Sequence, residues 1–167
     1  CIDELREVRA MISDIKKELD GENIGYDKEI KTGVMIETAA ASLIADIFAR
    51  EADFFSIGTN DLTQYTMSVD RGNPDVAYLY SAFQPPVLRS IKNIIRAGCD
   101  AGIPVGMCGE AAADPYMIPL LISFGLTEFS VNPVHVLKTR SLIAKWTKAE
   151  ADRITETVMQ MDTEKEI

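Results

Sequence analysis

The chain has 167 residues, of which 47% are hydrophobic and 26% are charged. This composition is typical of a globular protein and excludes disordered and collagen-like chains. The formal net charge of −9 disfavours nucleic acid as a partner, because nucleic-acid phosphates require a basic surface. No apolar stretch approaches the ~20 residues that span a bilayer, so we expect no membrane insertion.

Three cysteines, Cys1, Cys99 and Cys108, follow neither a disulfide-framework spacing nor a zinc-site spacing. The chain also opens without a charged and then apolar leader, and both features predict a reduced, cytoplasmic protein. Because the sequence begins with cysteine rather than methionine, we expect a fragment of a longer protein.

The first predicted element is a helix over residues 2–19, where apolar residues recur every three or four positions. A repeated pattern of short apolar run, loop and helix follows it. The apolar runs predict four strands, at residues 33–36, 54–57, 104–107 and 128–131. The helices predicted around them cover residues 39–50, a short segment from residue 73, residues 86–101, 114–125 and 134–146, and a last helix from a capping box at residue 147. In the helix over 39–50, the inward side chains are predicted to be Leu43, Ile44, Ile47 and Phe48.

Four consecutive strand–helix units predict an α/β fold with parallel strands and helical crossovers. A closed eight-unit barrel needs ~250 residues, so the chain is predicted to form either half a barrel or a small open sheet. In both architectures, chemistry takes place beyond the carboxyl ends of the strands. Polar clusters follow the first three predicted strands at these positions.

Two carboxylates are the first candidates for chemistry, because Glu37 ends the first strand and Asp61 follows the second. Carboxylates at neighbouring strand ends are suited to sharing one Mg²⁺ ion with a substrate phosphate. The alternative interpretation is that Glu37 caps its own helix and that Asp61 caps a turn. The polar turn over residues 58–63 also offers backbone N–H groups to an anion.

Arg71 and Cys108 are the other candidates. Arg71 lies in a turn, and its guanidinium suits phosphate, although a solvated surface arginine is the alternative. Cys108 ends the third strand, where its thiol could donate a proton, with a buried and inert thiol as the alternative. Cys99 is predicted to be buried and inert, and the single histidine, His135, to be structural.

Four motifs occur in order: GVMIET at 33–38, DFFSIGTNDLTQY at 53–65, DRGN at 70–73 and GMCGE at 106–110. They resemble the C-terminal, phosphoenolpyruvate-binding domain of enzyme I of the bacterial sugar phosphotransferase system. Pyruvate phosphate dikinases and phosphoenolpyruvate synthases share the strand-end glutamate, the GTNDLTQ run and the CGE. The DRGN motif favours enzyme I.

The resemblance implies that residues 1–167 form one domain, the second half of a TIM-type (β/α)₈ barrel with an extra N-terminal helix. It implies that Glu37 and Asp61 bind Mg²⁺, that Asn60 and Asp61 contact the substrate, and that Arg71 holds the phosphoryl group. Cys108 would protonate the enolate to give pyruvate. The whole enzyme would move the phosphoryl group of phosphoenolpyruvate to a protein histidine for sugar uptake.

The resemblance also implies partners and leaves alternatives. The expected partners are phosphoenolpyruvate and pyruvate, the phosphocarrier protein HPr through an N-terminal domain that is absent here, and a second copy in a homodimer. The alternatives are a dikinase-type or synthase-type domain, a metal-dependent lyase acting on a 2-oxo acid through Glu37 and Asp61, and a non-catalytic dimerisation half-domain. The isolated chain is expected to be nearly inactive in transfer and to self-associate.

Overall fold

The computed structural model describes all residues, 1–167, and divides them into two compact units, residues 1–32 and 33–167. The first unit contains helix α1 (Ile2–Gly21), which confirms the predicted N-terminal helix. In α1, Leu5 is buried, whereas Val8 and Ile15 of the same apolar stripe are exposed. No helix in the chain has both the length and the apolar character that crossing a membrane requires.

The second unit is built on one four-stranded sheet. Its strands are β1 (Val34–Ile36), β2 (Phe55–Gly58), β3 (Val105–Cys108) and β4 (Glu128–Phe129). All neighbouring pairs are parallel, and the order in the sheet is the order in sequence. The predicted α/β fold with four parallel strand–helix units is therefore confirmed, and the arrangement is that of a partial (β/α) barrel.

Helices alternate with these strands. They are α2 (Ala39–Leu43), α3 (Ala45–Ala49), α4 (Thr59–Met67), α5 (Pro85–Ala101), α6 (Met117–Phe124), α7 (Val136–Ile143) and α8 (Lys148–Val158). Three 3₁₀ turns cover Ala77–Leu79, Glu110–Ala113 and Pro133–His135. The core lies between sheet and helices, and α5 buries the predicted set Val87, Leu88, Ile91, Ile94 and Ile95.

The predicted helix over residues 39–50 is wrong as one element, because it breaks at Ile44, whose φ is −113°. The carbonyl of Ser42 accepts a hydrogen bond from the Asn93 amide of α5 at 2.6 Å. A side chain of α5 thus bonds to this carbonyl, which lies next to the break between α2 and α3. Leu43, predicted to face inward, is 77% exposed, whereas Phe48 is buried.

Other differences are smaller. The segment Thr59–Met67, expected as a polar turn and a long connection, is the nine-residue helix α4. The short helix expected from residue 73 is the 3₁₀ turn Ala77–Leu79. Cys99, expected to be buried, is exposed on α5. The capping box at the start of α8 is confirmed, with the Thr147 hydroxyl accepting from the backbone N–H of Glu150.

Candidate functional site

The candidate site begins where β1 and β2 end side by side. Ile36 pairs with Ile57 in the parallel ladder, so Glu37 leaves β1 next to Gly58, the last residue of β2. A Cβ built on Gly58 would lie 2.8 Å from Oε2 of Glu37. The Glu37 side chain therefore crosses the end of β2 in space that exists because residue 58 is glycine.

Glu37 is not the residue that caps its own helix. The cap of α2 is Thr38, whose side-chain oxygen accepts from the backbone N–H of Ala41 at 3.2 Å. Asp61 is likewise no turn cap, because it lies in the first turn of α4. Neither carboxylate therefore makes the cap that the alternative interpretation assigned to it.

Helix α4 starts at Thr59, immediately after β2, and places Asn60 and Asp61 in its first turn. The first N–H groups of a helix lack partners within the helix, and the helix dipole favours negative charge there. Gly58, the residue before the helix, has no side chain that could accept from these groups. The end of β2 and the start of α4 thus place carboxylate, amide and backbone N–H groups at one edge of the sheet.

Arg71 returns from the segment after α4 to the start of that helix. Its Nη1 lies 3.8 Å from Oδ1 of Asp61, and the two side chains are 52% and 39% exposed. An ion pair with this exposure contributes little to stability because water screens it. The contact nevertheless joins Arg71 to Asp61. These two residues lie ten positions apart, and the sequence predicted both in the same site.

Cys108 ends β3, and its main partners come from β2. Its thiol Sγ donates to the Ile57 carbonyl at 3.5 Å and accepts from the Ser56 hydroxyl at 3.9 Å. The register pairs Cys108 with Gly58, so the thiol lies on the strand neighbouring the one that leads into Asn60 and Asp61. The side chain is partly exposed, which excludes the alternative of a fully buried thiol.

Gly109 supports this arrangement through its backbone. Its φ is +97°, a conformation that favours glycine, and an added Cβ would lie 2.3 Å from Oγ1 of Thr59. Thr59 in turn donates to the Cys108 carbonyl at 2.8 Å. The chain after β3 can therefore approach the start of α4 closely.

Three contributors were missed by sequence reasoning: Thr59, Gln64 and Tyr80. The Tyr80 hydroxyl donates to the backbone carbonyl of Asn60 at 3.1 Å, twenty residues away. Gln64 accepts from the backbone N–H of Arg71 at 3.1 Å. Recognising α4 would have placed Gln64 one turn after Asp61, but no local pattern reveals the Tyr80 contact.

The donor set at this edge fits a magnesium ion that takes few protein ligands. No group of three or more His, Cys, Asp or Glu side chains is placed to hold a metal, so a dedicated all-protein metal cage is absent. Glu37 and Asp61 offer two carboxylates, and Mg²⁺ is usually bound by one or two carboxylates together with water and substrate phosphate. Soft-metal sites need thiolate or imidazole clusters that this edge does not supply.

Comparison with known proteins gives a consistent result. The family described as "PEP-utilising enzyme, PEP-binding domain" matches residues 1–148. Proteins named phosphoenolpyruvate-protein phosphotransferase are similar over nearly the whole chain. One from Geobacillus stearothermophilus is 46% identical over 99% of this chain, one from Enterococcus faecalis 45% over 98%, and one from Bacillus subtilis 42% over 99%. The chain spans 29% of the length of each of these relatives.

Proposed function

Because the chain belongs to the family of PEP-binding domains of PEP-utilising enzymes, we propose that it binds phosphoenolpyruvate (PEP) as part of a PEP–protein phosphotransferase. In that reaction the phosphoryl group of PEP passes to a protein histidine and pyruvate is released. The observation that carries the proposal is that Glu37, Asp61 and Cys108 lie at or just after the carboxyl ends of three adjacent parallel strands, with Arg71 3.8 Å from Asp61.

The proposed substrate contacts use α4 and Arg71. The first-turn N–H groups around Asn60 and Asp61 face an anion favourably. The Arg71 guanidinium suits the phosphoryl oxygens because its planar fork donates two parallel hydrogen bonds. In the structure its Nη1 lies 3.8 Å from Oδ1 of Asp61, in the first turn of that helix.

Glu37 and Asp61 are the proposed holders of Mg²⁺. A bound Mg²⁺ would supply positive charge that stabilises the phosphoryl oxygens during transfer. The protein's own contribution is to keep both carboxylates at one edge, Glu37 beside Gly58 and Asp61 in the first turn of α4.

Cys108 is the proposed proton donor. When the bond between phosphorus and the bridging oxygen of PEP breaks, its electron pair remains on the enolate of pyruvate. The methylene carbon of that enolate takes the proton of the Cys108 thiol, which leaves a thiolate that recovers a proton from water. The Ser56 hydroxyl, which donates to Sγ in the structure, would stabilise this thiolate.

The wider partners follow from the same proposal. The acceptor histidine and the phosphocarrier protein HPr would belong to the assembled phosphotransferase, which acts in the cytoplasm as a homodimer. Names of the relatives support the phosphotransferase over a dikinase, because each of the three is called a PEP-protein phosphotransferase.

Calorimetric titration with PEP, with and without Mg²⁺, tests the proposal. We expect binding that depends on Mg²⁺, is lost in Arg71→Ala and is kept in Cys108→Ala, because proton donation acts on a chemical step and not on binding. Arg96→Ala, on an exposed face of α5, is the matched control and should bind as wild type. Absence of PEP binding, or equal loss in the Arg71 and Cys108 variants, would contradict the proposal.

A further inference from the structure

One residue of α4 holds the segment that carries Arg71. The backbone carbonyl of Gln64 accepts from the backbone N–H groups of Ser68 and Val69, the latter at 3.0 Å. Its side-chain Oε1 accepts from the backbone N–H of Arg71 at 3.1 Å. A backbone N–H can bond only to the oxygen of the amide, so the orientation of this side chain is fixed. Gln64 therefore binds three positions of the segment.

The segment reverses direction within a few residues. Ser68 has φ 55°, the left-handed conformation that ends α4, and Val69 is buried. Beyond it, the Asp70 carboxylate accepts from Gly72 N at 2.8 Å. These contacts shape the turn, but they do not tie the Arg71 backbone to α4. That tie is made by the side chain of Gln64.

Gln64 also shares a helix face with the partner of the Arg71 guanidinium. Asp61 precedes Gln64 by three residues on α4, and residues with this spacing lie on the same face. Arg71 thus contacts α4 at two points: its backbone N–H bonds to Gln64, and its Nη1 lies 3.8 Å from Oδ1 of Asp61. A long arginine side chain reaches a fixed point reproducibly only when its backbone is fixed.

We propose that Gln64 is a positioning residue that directs the Arg71 guanidinium toward the anion end of the site by holding the Arg71 backbone N–H. The role in PEP binding rests on the proposed function. The role in holding Arg71 rests on the contacts alone. Gln64 itself touches no reacting atom, and it acts through Arg71.

The first experiment measures exchange of backbone amide protons with water by NMR. Gln64→Met keeps the length of the side chain but removes the acceptor, and Gln64→Glu keeps an acceptor oxygen. We expect the Arg71 amide to exchange about two- to tenfold faster in Gln64→Met, the range that loss of one hydrogen bond allows. It should stay near the wild-type rate in Gln64→Glu and in the control Gln160→Met, an exposed glutamine after α8.

The Val69 amide is the internal reference, because its acceptor is the backbone carbonyl that every Gln64 variant retains. Its exchange should not change. Faster exchange of both amides in Gln64→Met would mean that the whole turn has loosened. An unchanged exchange rate of the Arg71 amide would mean that the Gln64 side chain does not hold it. Either result overturns the proposal.

The second experiment is a double-mutant cycle on PEP binding with Mg²⁺. Gln64→Met should weaken binding about two- to tenfold in the wild-type background and should cause no further loss in Arg71→Ala, because Gln64 acts through Arg71. Additive losses would overturn the positioning role. A wild-type chain that binds no PEP would instead refute the proposed function, and the amide exchange would still decide whether Gln64 holds Arg71.

Discussion

The hydroxyl of Thr59 donates a hydrogen bond to the backbone carbonyl of Cys108, with 2.8 Å between the oxygens. Thr59 is the first residue of α4 and is 1% exposed, whereas Cys108 is the last residue of β3. The bond therefore joins the helix start that carries Asn60 and Asp61 to the strand end that carries the thiol. It fixes two parts of the candidate site that lie 49 residues apart in sequence.

We expect Thr59→Val to lower the free energy of unfolding by about 1–2 kcal/mol, because valine keeps the shape but leaves the Cys108 carbonyl without its donor. Thr155→Val is the matched control: Thr155 is also buried, but its Oγ1 has no hydrogen-bond partner. Removing that hydroxyl should be neutral or stabilising. Urea unfolding of both variants measures the difference, and equal changes would contradict the importance of the Thr59 bond.

A second prediction compares two glycines with positive φ. Gly109 has φ +97° and Gly102 has φ +71°, but an added Cβ meets Thr59 Oγ1 at 2.3 Å only at Gly109. At Gly102 nothing lies within 4 Å. Gly102→Ala should cost about 1–2 kcal/mol of stability from backbone strain alone. Gly109→Ala should cost more, because its ψ of 175° lies in a region that only glycine adopts readily and because Thr59 must also move.

NMR signals of the same pair of variants test for the collision at the site. Gly109→Ala should disturb NMR signals of Thr59 and Cys108, whereas Gly102→Ala should leave them unchanged. Similar stability losses without such a disturbance would mean that the close approach of Gly109 and Thr59 has no structural consequence.

Much of this arrangement could be predicted from sequence, because parallel strands bring their carboxyl ends to one edge. That rule is enough to predict that Glu37, Asp61 and Cys108 lie at the same edge of the sheet. The break at Ile44 was not predictable, because the partner beside it, Asn93, lies about fifty residues away. Helix α4 was missed because its residues are mostly polar and show no clear apolar period.

A third prediction concerns the space that Gly58 leaves for Glu37. Gly58→Ala would place a Cβ 2.8 Å from Oε2 and 3.0 Å from Cβ of Glu37, so the carboxylate must shift. We expect the Mg²⁺ affinity in the presence of PEP to fall about threefold or more, because a hard cation with few protein ligands is sensitive to the position of each one. Calorimetric titration with Mg²⁺ measures this affinity.

Gly106→Ala is the control for this prediction. Gly106 lies on β3, and a Cβ there would meet Glu128 at 3.5 Å, an ordinary contact. Its Mg²⁺ affinity should match that of the wild type. If Gly58→Ala and Gly106→Ala behave alike, Glu37 is not a ligand of the metal.

A fourth prediction concerns acid stability at the start of α8. A hydrogen bond from Lys148, and a second from Ser123 of α6 at 2.7 Å, hold the pKa of Asp152 below its ordinary value of 3.8. The folded-state pKa is thus lower than the unfolded one. This contribution to stability is therefore complete above pH 3.8 and is lost as the pH falls through the folded value.

We expect Lys148→Met to destabilise the chain near neutral pH and to cost less as the pH falls below 3.8 through the lowered folded-state pKa of Asp152. Ser123→Ala should show the same trend with a smaller amplitude, because Lys148 is the larger cause of the shift. Urea unfolding across this range measures both. A cost of Lys148→Met that is independent of pH would exclude the ion pair as its source.

The last prediction concerns the two open edges of the sheet. In the ladder, β1 pairs only with β2 and β4 pairs only with β3, so the outer edge of β1 offers backbone groups to another chain. Met35 on β1 is 49% exposed, which adds apolar surface beside that edge. We therefore expect self-association that increases with concentration in light scattering.

Met35→Lys should raise the concentration at which the chain associates about tenfold, because an edge lysine must be desolvated on pairing. Leu43→Lys on α2, exposed but outside the β1 ladder, is the control and should associate as wild type. A wild-type chain that stays monomeric at high concentration, or equal effects of both lysines, would contradict association through β1.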